Sequence, residues 1–181
     1  GTGQGSVAIG GDATTGANAS GDGAVAIGGD DGTSYSSATA TQSGNVAVGT
    51  GTSATGNGTI SIGRNVVNAQ TSSISIGFDM IASVANNGIY IGLAARGSGD
   101  SSIAVGYEAD GGTSARSIAL GRFTDAYGVG AIAIGSGATG VSQGAQSRGT
   151  GTIAIGGDDG TLAAASAGTG SNAVAIGSGS I

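Results

Sequence analysis

The chain has 181 residues, 41 of them glycine and none of them proline, cysteine, histidine, tryptophan or lysine, and its eleven acids outweigh its five arginines to a formal charge of −6. Missing cysteine, histidine and lysine remove disulfides, thiol chemistry and the Ser-His and Ser-Lys nucleophilic pairs, while the acidic balance disfavours a nucleic-acid partner. Carboxylates alone could cleave glycosides, but only 3% of the residues are aromatic, so the reading is non-enzymatic, with no cofactor and no metal.

The first element is "SVAIG" at residues 6–10, and it recurs as near-copies whose final glycine stands at 10, 28, 49, 63, 77, 92, 106, 121, 135, 156 and 177. The spacings are 18, 21, 14, 14, 15, 14, 15, 14, 21 and 21, a unit of 14 with extras of about one, four or seven. Such a fixed period marks a repeat architecture. Low-complexity chains are often disordered, but 38% of these residues are hydrophobic and they fall in register. Order is the better reading.

Within each copy the second residue is Val or Ile, as in Val7, Val25 and Ile60, and the fourth is Ile, Val or Leu, as in Ile9, Val48 and Leu120. The residue between them is Ala or Ser except at Tyr90. Alternation with period two and β-branched residues at the large positions predict a strand, and the closing glycine predicts a turn with positive φ. After it, small residues recur at alternate positions: Ala54 and Gly56, Ala109 and Gly111, Ala126 and Gly128. These predict a second, weaker strand. The fold class is therefore all-β, a flattened β-solenoid of about eleven 14-residue coils with loop insertions.

So thin a coil encloses little volume, which predicts that Val and Ile point into the roll opposite Ala or Gly, with the middle Ala or Ser on a smooth outer sheet. Tyr90 strains that assignment, because it would project from the smooth side. The opposite arrangement turns Val and Ile toward a partner. Either way a thin roll buries little surface against the entropy of ordering its chain, which favours association with identical copies.

Two insertions begin alike, "GGDDGTSYSS" at 28–37 and "GGDDGTLAAA" at 156–165. Their acids, Asp30, Asp31, Asp158 and Asp159, could form a protruding, cation-binding contact loop, or a solvated turn of the kind Asp and Gly favour. Between them, the position after the closing glycine is large in five consecutive coils: Arg64, Phe78, Leu93, Tyr107 and Arg122. Stacked one per coil, they predict a ribbon along one edge, either a ligand surface or a subunit seam with Arg–aromatic contacts. No apolar run approaches the ~18 residues of a membrane-spanning helix. With no initiating Met or signal peptide, the chain reads as an excerpt of a longer mature protein.

The "SVAIG" cores, the 14-residue period and the "ATG"-like second halves (Ala54–Gly56, Ala138–Gly140) resemble the head domain of YadA-like trimeric autotransporter adhesins over about residues 5–181. The resemblance implies a single head domain over 1–181, a left-handed parallel β-roll and a homotrimer. It further implies a bacterial cell-surface protein held in the outer membrane through a C-terminal anchor outside this sequence, which binds matrix proteins, cells, other bacteria or abiotic surfaces. A trimeric phage or prophage tail-fibre segment is the alternative, and an ice-binding solenoid a weaker one, since no threonine recurs at a fixed place on every coil.

Overall fold

The computed structural model describes residues 1–11, 16–82, 86–137, 143–158 and 162–180. The chain forms two compact units, Gly1–Asn87 and Gly88–Ile181. Both are built from short parallel strands in two rows.

In the first unit the strands are β1 (Val7–Ile9), β2 (Asn18–Ala19), β3 (Val25–Ile27), β4 (Thr39–Ala40), β5 (Val46–Val48), β6 (Ser53–Ala54), β7 (Ile60–Asn68) and β8 (Ile74–Ala82). The repeat cores pair as β1-β3-β5-β7-β8, all parallel, with Val7 beside Val25, Val25 beside Val46, Val46 beside Ile60 and Ile60 beside Ile74. The second halves form their own row, β2-β4-β6, continued by the end of β7.

The second unit repeats the plan with β9 (Ile89–Leu93), β10 (Ile103–Val105), β11 (Ile118–Leu120), β12 (Asp125–Ala126), β13 (Ile132–Ile134), β14 (Gln146–Ser147), β15 (Ile153–Ile155), β16 (Ser166–Ala167) and β17 (Val174–Ile176). Its first row runs β9-β10-β11-β13-β15-β17 and its second β12-β14-β16, with Arg96, Asp110 and Asp125 bridged ahead of it. An all-β fold with a large parallel sheet of identical register is what the period-14 pattern demanded, and it is consistent with a β-roll. The closing glycines take positive φ as expected: at Gly63 φ is +133°, and an added Cβ would run into the Gly77 carbonyl of the next turn. Two features thus require glycine there, the backbone region and the close approach.

The interior corrects one expectation. Val and Ile do not fill the roll; the middle residue does. Ala26, Ala47, Ser61, Ala104, Ala119 and Ala133 are fully buried, whereas the Val, Ile or Leu on either side of each is only half-buried. The opposite row also points small residues inward, Ala40, Ala54 and Ala126 among them. The two strands of one turn lie so close that methyl and hydroxymethyl groups from both sides fill the space. The branched side chains of the repeat cores face outward, while Val66 and its register partner Met80, three residues past their closing glycines, are buried.

Tyr90 corrects the second part of that expectation, since it is fully buried and is the largest such side chain. Its hydroxyl lies 2.9 Å from Ser102 Oγ. Room for the ring comes from glycine: a Cβ at Gly97 would stand 2.9 Å from Tyr90 Cε1, and one at Gly88 would strike the ring. Other buried polar groups are satisfied within the fold. The Asn45 side chain donates to the Ala54 carbonyl at 2.7 Å and accepts from the Thr59 N–H at 3.0 Å, and Asn68 Oδ1 accepts from Ser73 Oγ at 2.8 Å. This matters because an unpaired buried amide costs about 1–3 kcal/mol.

Candidate functional site

The reversal of the strand faces creates the first surface of interest. Each repeat core turns two branched aliphatic side chains outward, and parallel register stacks them into two columns, about 4.8 Å apart along the stack. At the ends of the rows they are most open: Ile9 is 57% exposed and Ile176 66%. A monomer seldom leaves so continuous an apolar face to water.

The second surface lies at the corner after the closing glycine. In the first unit the Arg64 guanidinium sits between two rings, 4.5 Å from the centroid of Tyr35 and 5.2 Å from that of Phe78. Arg64 and Phe78 are register partners on β7 and β8, as the ribbon reading expected. Tyr35 was not expected there. It arrives from the first insertion, and no periodicity links positions 35 and 64.

In the second unit Arg122 lies 5.6 Å from the Tyr107 ring and 4.6 Å from that of Phe123. The two rings meet edge-on at 5.2 Å. The Glu108 carboxylate beside Tyr107, by hydrogen bond and then by charge, pushes its hydroxyl pKa up. Leu93 ends β9, where its carbonyl accepts from the Glu108 N–H at 2.9 Å. The five ribbon positions are thus found as an Arg–aromatic cluster in each unit, with Leu93 in neither.

Sequence reasoning missed a polar ladder on the second row of the second unit. Arg96 Nε donates to Asp110 Oδ2 at 2.9 Å, and Asp110 Oδ1 accepts from the Gly112 N–H at 2.7 Å. Asp125 follows in register, then Gln146, whose Oε1 accepts from Arg148 Nη2 at 2.7 Å. Burial, and then the neighbouring Asp110 charge, push the Asp125 carboxyl above its usual range against the pull of Arg96 and Arg148. A signal existed in the sequence: Arg96, Asp110 and Asp125 all stand four residues after a closing glycine.

The model of the YadA head domain repeat matches residues 2–30, 46–65, 91–109 and 113–138, more than half of the chain. The chain belongs to the YadA head family. No curated protein was found to match it. The segments that match the YadA head repeat contain Arg64 and Arg122 but leave out residues 31–45, and with them Tyr35 and most of the first insertion.

In that insertion Asp31 Oδ1 accepts from the backbone N–H groups of Thr33, Ser34 and Tyr35 at 3.0, 2.8 and 3.0 Å. Those bonds, Tyr35 first, hold its carboxyl far below the usual range. Asp30 accepts from the Gly32 N–H. These acids brace the loop from within. In the second insertion the Asp158 N–H donates to the Ser136 carbonyl at 2.9 Å. Asp159 and the Ala138–Gly140 stretch lie outside the described residues. Among the described residues no group of three or more His, Cys, Asp or Glu side chains could hold a metal ion.

Proposed function

We propose that the chain is the head of a trimeric autotransporter adhesin, a non-enzymatic module that attaches a bacterial surface to matrix proteins, host cells, other bacteria or abiotic surfaces. Membership of an adhesin family supports a cell-surface role. The observation that carries the reading further is the outward double column of Val and Ile. A face of this kind, self-complementary and repeated at every turn, suits three identical rolls packed side by side, and the homotrimer would cover what one roll leaves open. On this proposal both compact units form a single head domain of left-handed coils, held at the outer membrane of the bacterium. Three copies on one particle would multiply weak contacts through effective concentration. A phage-fibre segment would share the packing, but nothing in the site favours it.

The Arg–aromatic clusters have two proposed roles, seam or ligand surface. Replacing Phe78 and Tyr107 by Ser separates them: lower oligomer stability with attachment intact indicates the seam, and lost attachment by an intact oligomer indicates the ligand surface. The function itself is tested by mass measurement in solution, followed by attachment of the intact particle to matrix proteins and bare surfaces. A trimer that attaches supports the proposal. A monomeric mass, or a trimer that attaches to nothing, overturns it.

A further inference from the structure

We infer that the first insertion and the β7 corner together form a binding site for an acidic saccharide, a sugar ring carrying a carboxylate or a sulfate. The inference deepens the attachment reading and rests on it. Beside the insertion lies an open depression of about 330 Å³, lined by Ser34, Tyr35, Ser36, Ser37, Thr39 and Asn65 among others. Its wall is dense in hydroxyls, which both donate and accept, the chemistry that matches a polyhydroxylated ligand. Arg64 stands next to it, stacked on Tyr35 and followed in the chain by Asn65.

The state of Arg64 supplies the acid preference. It is the sole arginine in residues 1–87, and among the described residues no carboxylate lies within ion-pair distance of it. The acids nearest in sequence are engaged elsewhere: Asp79 accepts from Asn65 Nδ2 at 2.8 Å, and Asp30 and Asp31 from loop N–H groups. Two rings flank the guanidinium, and among the described residues no hydrogen-bond acceptor or ion-pair partner holds its N–H groups. That is a fork set in place for a planar oxyanion, at little further entropic cost. The nearby Asp31 and Asp79 carboxylates are partly compensated by the hydrogen bonds they accept, and acids farther than about 8 Å are screened at physiological salt, so the arginine sets the local preference. Tyr35 and the Ser34–Thr39 wall lie outside the segments that match the family repeat, whereas Arg64 and Asn65 lie inside one, so the site joins an addition of this chain to a position of the repeat.

The test measures binding of lactose, sialyllactose, lactose 3′-sulfate and a glutamate-rich peptide to the 181-residue chain by calorimetry, alongside attachment of the same protein to matrix-coated surfaces. The expected result is saturable binding of the sialylated form, the sulfated form or both, at least about tenfold tighter than lactose. The preferred form identifies the acid. That binding should fall about tenfold or more in Arg64→Gln, fall less in Arg64→Lys, and be unchanged in Arg116→Gln, with circular dichroism and oligomer mass unaltered in all three. Attachment without binding of either acidic sugar overturns this site and leaves the adhesin reading standing. Equal binding by Arg64→Gln also overturns it, as does a glutamate-rich peptide that binds more tightly than both acidic sugars. Loss of attachment together with all sugar binding overturns both readings.

Discussion

The inner and outer faces of a single strand follow opposite rules. On β11, Ala119 faces inward and is fully buried, while Ile118 and Leu120 face outward and are half-buried. The inner face selects for smallness, because the second row of strands lies immediately behind it. The outer face selects for branched bulk that stacks along the sheet and is left for a partner. Hydrophobicity alone therefore misleads in this fold: the most apolar positions of the repeat cores are not the interior, and apart from Tyr90, Met80, Val66, Asn45 and Asn68 the fully buried side chains are alanine, serine and threonine.

Substitutions can break this contrast, and the largest effect is expected at its exception. Tyr90→Ala should cost about 3–5 kcal/mol, the usual range for emptying a large buried ring site, read as a fall in the denaturant midpoint. Gly97→Ala, opposite it, should also destabilise, because its methyl group meets the ring. The two costs should fall short of additive in the double variant, where the ring is gone.

Next comes the face contrast on β11 itself. Ala119→Leu should cost about 1–3 kcal/mol or more by overpacking, whereas Ile118→Ala, on the outer face of the same strand, should cost about 1 kcal/mol in an isolated chain. In solution the order of effects on assembly should invert: outward Ile118→Ser combined with Ile132→Ser should lower the particle mass while leaving the β-sheet circular dichroism unchanged. A stable, fully assembled double variant would remove the outer columns from the association surface.

A smaller effect separates the two Arg–aromatic clusters. Phe123→Ala removes one edge-on ring contact and one cation–π contact, and should cost about 1–2 kcal/mol with no change in the binding of acidic sugars. Smallest is Asp125. Its pKa is raised in the folded protein, so the native state holds that proton more tightly than the unfolded chain does. Ionised Asp125 therefore costs stability at neutral pH, and the cost is relieved as pH falls through its raised value. Asp125→Asn should raise the melting temperature slightly at pH 7, for a stability gain of less than about 1 kcal/mol given its partial exposure, and the gain should vanish in acid. The same gain at every pH would remove charge as the cause.

Much of the fold could be read from the chain. The period of 14, the strand at each core and the glycine turn all follow from local rules, since alternation and positive φ are properties of neighbours in sequence. Which face is inner does not follow, because alternation marks two faces without saying what lies behind either. Tyr90 looked like an outward intrusion for the same reason, although Gly97 and Gly111 stand where Ala54 and Ala126 stand in other turns. Arg64 and Phe78 were visible as partners through their shared register, but Tyr35 was not, because an insertion's path across the surface is set by its own hydrogen bonds, Asp31 above all.

By itself, then, the amino-acid order determined that the chain is all-β, that it stacks in a constant register and that glycine closes each core, because those features depend on steps of one to five residues and on their return at a unit of 14. Tertiary structure alone decided which side chains the interior accepts, which acids are braced within loops and which rings flank Arg64. Those outcomes depend on the distance between segments remote in the chain, and the packing of the two rows sets that distance.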